Sequence, residues 1–88
     1  MKIEWREIGS SDWRAKVDGL LIILHKRIGY SQETWFVTNH DLQIMNRELG
    51  EIPLEQAKEA ALVVVLDRIK ALAKLVKPLE KAIAAGRK

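Results

Sequence analysis

The chain has 88 residues, a length typical of one small domain whose thin hydrophobic core is often completed by a partner subunit. It contains no Cys, which excludes disulfide bonds and thiolate metal sites and fits a reducing cytoplasm. Fifteen Lys and Arg residues against twelve Asp and Glu give a net charge of +3, which excludes an acidic DNA mimic and is weaker than the basic stripe usual in nucleic-acid binders.

The first nine residues do not have the pattern of a secretory signal. Glu4, Arg6 and Glu7 interrupt the apolar positions there, and no apolar run in the chain approaches the ~18 residues of a membrane span. We therefore expect a soluble cytoplasmic protein with no membrane partner.

The strongest local signal in the first half of the chain is the dipeptide Asp18-Gly19, flanked by the apolar-rich segments 13–17 and 20–24. Two-residue Asp-Gly loops favour a type I′ turn, because both central residues adopt positive φ and the twist matches that of the strands. This turn predicts a hairpin whose register pairs Val17 with Leu20 on one side of the sheet.

Alternating apolar residues predict further strands at 2–8, at 34–38 and after a polar turn at 39–41. Consecutive strands joined by short turns form an antiparallel meander. The apolar positions on one side of this sheet form the predicted core face: Trp5, Trp13, Val17, Ile22, Leu24, Trp35, Val37 and Ile44.

Helical spacing replaces alternation near Pro53, and we predict a helix from Pro53 to Lys77. Pro78 cannot donate a backbone hydrogen bond, so a kink is expected there before a short helical piece over 79–85. The predicted fold is α+β: an antiparallel meander of four to five strands packed on one long C-terminal helix kinked near Pro78. Residues 1–88 form a single domain, with the sheet in 1–50 and the helical segment in 53–86.

The predicted helix is longer than the sheet that it covers. At ~1.5 Å per residue it reaches about 37 Å, whereas strands of six to eight residues span roughly 20–26 Å. The overhang exposes an apolar patch, which predicts a homodimer held together by antiparallel helices. Alternatively, Pro78 allows residues 79–85 to fold back over the patch. The predicted dimerisation residues are Leu72, Leu75, Val76, Leu79 and Ile83.

No set of residues matches a known catalytic or cofactor site. The hairpin register brings Asp12 opposite His25, near Ser10 and Ser11, but no nucleophile elbow or glycine nest accompanies them. His25 and His40 lack a metal-ligand spacing, and the scattered glycines form no phosphate-binding loop. We therefore predict a protein without enzymatic activity, cofactor or metal.

The apolar run 20–24 cannot place all of its side chains on one face of a strand. Leu21 and Ile23 must point away from the core, where they meet solvent, the stems of basic side chains or another chain. This mixed basic and apolar side of the sheet is the predicted functional surface. Its predicted partner-binding residues are Arg14, Lys16, Leu21 and Arg27.

Three segments together resemble small phage and prophage proteins built as a meander with a trailing helix. They are Trp13-x-Ala15-x-Val17-x-Gly19, Trp35-x-Val37, and Leu54-Glu55-Gln56-Ala57-Lys58-x-Ala60-Ala61. Similar layouts occur in integrase arm-binding and plant-type AP2 domains, whose sheets carry many more arginines. The resemblance implies a class that includes inhibitors of host defence, such as anti-CRISPR proteins, which occupy a surface of a large complex in the host cytoplasm.

The resulting expectation is a non-enzymatic protein–protein binding module, with a phage-encoded inhibitor of a host nuclease complex as its specific form. The alternative is a regulatory protein that binds DNA or RNA through the basic side of the sheet.

Overall fold

The computed structural model describes residues 3–9 and 11–87, which form a five-stranded sheet followed by two helical segments. Each strand pairs antiparallel with the next, so the sheet order is the chain order. This confirms the predicted α+β meander with a C-terminal helix. The elements are β1 (Trp5–Ile8), β2 (Asp12–Val17), β3 (Leu20–His25), β4 (Thr34–Asn39), β5 (Ile44–Glu51), α1 (Leu54–Ala73) and α2 (Val76–Gly86).

β1 and β5 differ most in extent from the prediction, and the other strands agree with it to within one residue. β1 begins at Trp5, not near residue 2, and Lys2 lies outside the described residues. β5 runs on to Glu51, and Asn46 within it has a positive φ of 50° where the pairing with β4 shifts by one residue. Because Asn46 donates its N–H to the Thr38 hydroxyl at 3.0 Å, the irregular step retains a hydrogen bond.

The β2–β3 hairpin turns at Asp18 and Gly19, whose φ angles are 47° and 89°. Positive φ at both central residues is the signature of a type I′ turn, so the predicted turn and register are confirmed. The observed pairs include Val17 with Leu20, Ala15 with Ile22 and Trp13 with Leu24.

The core lies between the sheet and the first half of α1. Ala57, Ala61 and Val65 recur every four residues, so they share one side of α1, and all three are buried. The two alanines allow the helix backbone to approach the sheet closely. The sheet side of the core confirms the predicted face: Ile22, Leu24, Trp35, Val37 and Ile44 are buried, and Trp5, Trp13 and Val17 pack around them half-buried.

β4 is buried on both faces, which alternation alone did not predict. Trp35 faces the helix, whereas Phe36 points to the other side and is only 1% exposed. Tyr30, from the loop between β3 and β4, packs edge-on against the Phe36 ring with centroids 4.9 Å apart. The His25 ring lies 6.1 Å from Phe36 on the neighbouring strand. The loop therefore forms a second, small apolar cluster opposite the helix.

Asn39 is the last residue of β4 and closes the turn at 40–43, which lies slightly later than the predicted turn at 39–41. Its side chain is fully buried and satisfied: Nδ2 donates to the Leu21 carbonyl, and Oδ1 accepts the Leu42 N–H, both at 2.8 Å. Because one amide serves both the preceding hairpin and its own turn, Asn39 connects β3 to the start of β5.

The C-terminal helix is interrupted near Pro78, where a kink was predicted. α1 ends at Ala73, α2 begins at Val76, and the two segments form a rod bent by 26°. Since Pro78 has no N–H to donate to the Lys74 carbonyl, the break falls one turn before the proline. The Leu75 N–H instead bonds the Leu72 carbonyl at 3.0 Å, a tighter turn that joins the segments.

The rod extends well beyond the sheet. Every described residue from Leu66 to Arg87 is exposed, and the molecule measures 57 × 30 × 19 Å. The predicted overhang is therefore present, and the alternative in which residues 79–85 fold back over the patch is wrong. No helix in the described part of the chain is both long and apolar enough to cross a membrane.

Replacing Gly19 with Val should destabilise the fold by on the order of 1–3 kcal/mol, because a β-branched residue is strained at positive φ. A thermal melt followed by circular dichroism measures the effect. Gly86→Val is the matched control, since Gly86 lacks a positive φ and has open space around it. Equal melting points for the two variants would contradict the role of the turn.

Candidate functional site

The outer face of the sheet, defined as the side opposite α1, carries the predicted mixture of basic and apolar residues. Arg14 pairs across the strands with Ile23, and Lys16 pairs with Leu21. Both basic residues are exposed, whereas Leu21 and Ile23 are half-buried. Cross-strand neighbours lie close enough for the basic stems to cover part of each apolar side chain.

β1 adds a third basic residue to this face. Arg6 lies directly opposite Arg14 in the β1–β2 register. Like charges in this position destabilise a sheet unless an acidic group neutralises them. Among the described residues the ion pair that forms is Lys58 with Glu55, on α1, at 3.0 Å. Arg6 and Arg14 are thus cross-strand neighbours, and among the described residues neither forms an ion pair with a carboxylate.

An open cleft of about 350 Å³ lies among these side chains. Ile8 and Leu21 supply its apolar part, and the three basic residues supply most of its charge. Because the cleft is open to solvent, it suits one or two side chains of a larger ligand better than a small molecule, which a binding pocket usually encloses. The lining residues are Glu4, Arg6, Ile8, Arg14, Ala15, Lys16 and Leu21.

Three of the four predicted partner-binding residues therefore line one cleft, and Arg27 does not. Arg27 follows β3 at the end opposite the Asp18-Gly19 turn. Its guanidinium carbon lies 5.4 Å from the Tyr30 ring centroid and 5.5 Å from that of Phe36. These cation–π distances give Arg27 a role in holding the β3–β4 loop against the sheet.

Lys26 is also occupied by its own loop. Its Nζ lies 3.9 Å from the Trp35 ring centroid and donates to the Gln32 carbonyl. Partial burial lowers the pKa of Lys26, and the nearby Glu33 carboxylate offsets part of this effect. Like Arg27, Lys26 fixes the path of the loop.

His25 belongs to a structural network and makes no hydrogen bond to Asp12. Its Nε2 lies 2.8 Å from the Thr38 hydroxyl oxygen, which also accepts the Asn46 N–H. Nδ1 of His25 lies 3.3 Å from the Lys26 carbonyl oxygen, which can only accept, so in the neutral tautomer that donates this bond Nε2 accepts from the Thr38 hydroxyl. This network joins β3, β4 and β5.

Neither a catalytic site nor a metal site was predicted around the two histidines. Ser10 lies outside the described residues. Within residues 3–9 and 11–87, no three His, Asp or Glu side chains are grouped so that they could hold a metal ion.

Arg6 and Ile8 were not predicted as site residues. The alternation of apolar residues predicted their strand. Since Arg6 and Ile8 are two residues apart, it also placed them on the same side of the sheet, and this was the available signal for them. The register of this strand with β2 was not predicted, because the residues between the strands contain no recognised two-residue turn. Only the observed pairing brings Arg6 opposite Arg14.

No protein-family model matches the chain, and no characterised protein or solved structure is significantly similar to it. The two features of the structure that point to an interaction are the cleft and the exposed end of the helix.

Replacing Arg6 with Gln should stabilise the free protein by about 0.2–1 kcal/mol, because it removes the like-charge pair with Arg14. The gain should shrink in high salt, which screens exposed charges. Urea unfolding at low and high ionic strength measures both effects. Arg87→Gln, which removes the same charge from the exposed C-terminal end, is the control. A loss of stability in Arg6→Gln at low salt would show that Arg6 is already neutralised by an acidic neighbour.

Proposed function

We propose that this chain is a non-enzymatic protein-binding module that takes an acidic segment of a partner protein on the outer face of its sheet. The observation that carries the proposal is Arg6 opposite Arg14, neither of them in an ion pair with a described carboxylate, in a cleft with the apolar surface of Ile8 and Leu21. A like-charge pair that costs stability in the free protein becomes favourable when an acidic ligand bridges it.

The cleft supports a two-part mode of recognition. Carboxylates of the partner pair with Arg6, Arg14 and Lys16, and arginine allows two parallel hydrogen bonds to one carboxylate. An apolar side chain of the partner then covers Ile8 and Leu21, which removes their surface from water. The charges direct the approach of the partner, and the apolar contact slows its dissociation.

Acidic residues on the same face favour a protein ligand over nucleic acid. Glu4 lines the cleft, Asp12 is paired with Ile8, and Glu48 is paired with Phe36 on β4. A phosphate backbone is uniformly negative and meets repulsion at each of these positions, whereas an acidic segment of a protein can place its carboxylates beside Arg6 and Arg14 and neutral or basic residues beside the acidic positions.

Peptides selected from a random displayed library against the immobilised protein should be rich in Asp and Glu around one large apolar residue. In titration calorimetry the Arg14→Glu, Lys16→Glu double variant should bind the best such peptide at least about 10-fold more weakly, because it replaces attraction with repulsion. Its circular dichroism spectrum should be unchanged, since both residues are exposed.

The matched control is Lys74→Glu with Lys77→Glu, which makes the same change of charge on the exposed C-terminal helix. This variant should bind the peptide as the unmodified protein does. Undiminished binding by the Arg14, Lys16 variant would move the binding surface away from the outer face. An equal loss of peptide affinity in both variants would show that affinity depends on the net charge of the protein and not on the outer face.

The second candidate function is binding of DNA or RNA through the same face, favoured by the addition of Arg6 to Arg14 and Lys16. Fluorescence anisotropy with labelled duplex DNA and single-stranded RNA at several salt concentrations separates the two functions. Tight binding at physiological salt, lost on reversal of Arg14 and Lys16, would favour nucleic acid. Binding seen only at low salt would indicate non-specific attraction.

As the specific form of the first function, we propose a phage-encoded inhibitor that occupies a surface of a host nuclease complex. Such a protein needs a binding surface and no active site, in keeping with the resemblance to small phage proteins. Expression in a bacterium with an active CRISPR system should restore plaque formation by a targeted phage. The Arg14, Lys16 variant should lose this protection and the Lys74, Lys77 variant should keep it. Absence of protection by the unmodified protein would count against inhibition of that system.

A further inference from the structure

The arm, defined as residues 66–86 beyond the sheet, carries a continuous row of large apolar side chains. Their exposed fractions range from 36% at Leu72 to 60% at Leu79, so a substantial part of each meets water. Contiguous exposed apolar surface of this kind marks an interaction site in small soluble proteins. The row along one side of the arm, here called the seam, consists of Ile69, Leu72, Val76, Leu79 and Ile83.

The order of residue types in the seam is symmetric about Val76, with a difference of one residue in spacing. Ile69 and Ile83 are each seven residues from it, and the two leucines lie four residues before and three residues after it. A two-fold axis through Val76, perpendicular to the helix, would therefore superpose isoleucine on isoleucine and leucine on leucine within one residue's rise. A self-complementary patch of this type is what an isologous dimer requires.

The midpoint of the arm is Val76, which is also the central residue of the seam. Val65 is the last residue that the sheet buries, α2 ends at Gly86, and Val76 lies midway along the exposed residues between them. At ~1.5 Å per residue the arm spans about 30 Å. Two antiparallel arms centred on Val76 would overlap along their whole length, and each tip would stop where the sheet of the other copy begins.

The four lysines of the arm lie on the side of the helix away from the seam. On a helix with ~100° between residues, Lys70, Lys74, Lys77 and Lys81 lie roughly 100–160° away from Val76. They would therefore stay in water when two seams meet. Glu80 lies only about 40° from Val76, on the flank where an antiparallel second copy brings its own Lys70.

We infer that a second copy of this chain covers the arm, forming a two-fold antiparallel dimer in which Ile69 of each copy contacts Ile83 of the other. This inference is independent of the proposed function, because the cleft lies on the side of the sheet opposite α1. The dimer would leave both clefts open and would present them to one partner or to two. A helix without tertiary packing is only marginally stable in water, so the second copy would also stabilise the arm.

Light scattering at about 5 to 200 micromolar tests the association. The expected mass is twice the 10.1 kDa of one chain, and Leu72→Glu should reduce it to one chain. Tryptophan emission controls for folding, since all three tryptophans lie in the sheet. A single-chain mass at every concentration would overturn the proposal and leave the seam to a different partner. A dimer that survives Leu72→Glu with unchanged mass would also overturn it, because that dimer would not use the seam.

Disulfide cross-linking tests the register, and the absence of native Cys makes every cross-link assignable. An affinity-tagged Ile69→Cys chain mixed with an untagged Ile83→Cys chain should form a mixed disulfide under mild oxidation. Each variant alone should cross-link at least ten times more slowly, because a disulfide requires Cβ atoms within about 4.5 Å. Lys74→Cys, on the side away from the seam, should behave like the single variants.

Rapid cross-linking of Ile69→Cys with itself would indicate parallel arms and would overturn the antiparallel arrangement. Equal rates for the mixture and for Lys74→Cys would show that contacts between arms are random collisions. The mixed disulfide should also be lost when both chains carry Leu72→Glu, and its persistence in that background would likewise count against contact through the seam.

Discussion

The register of the β2–β3 hairpin is the constraint on which the rest of the structure depends. With Asp18 and Gly19 both at positive φ, Ala15 and Ile22 are paired on the helix side, and Lys16 and Leu21 on the other. A slip of one residue would exchange these two sets and place the basic side chains in the core. The same turn thus determines both the packing of α1 and the composition of the outer face.

The two faces of the sheet differ in composition and in burial. The helix side is apolar and closely packed, and the alanines of α1 allow the helix to approach it. The outer side places Arg6 opposite Arg14, a like-charge pairing that costs stability. The β3–β4 loop covers Phe36 at one end of this side and leaves the cleft open near the other.

The length of the C-terminal helix relative to the sheet creates the second surface. The sheet buries residues of α1 only as far as Val65, and Arg68 still donates to the Leu42 carbonyl at 3.1 Å, so the side of the helix that forms the core continues exposed into the arm beyond this contact. The bend at residues 74–75 is small enough to keep that side nearly continuous. Cleft and arm lie on different parts of the molecule, so both can be occupied at once.

Local sequence patterns determined much of this protein: the strand alternation, the Asp-Gly turn, the core face, the exposure of Arg14 and Lys16, and a helix too long for its sheet. Only the tertiary structure decided that Arg6 meets Arg14, that Arg27 supports a loop instead of lining the cleft, that Phe36 is buried and that α2 does not fold back. The physical reason is the separation along the chain of the residues that interact. Alternation, turn propensity and helix length are properties of neighbouring residues, whereas strand pairing without a tight turn and the path of a loop depend on contacts between distant residues.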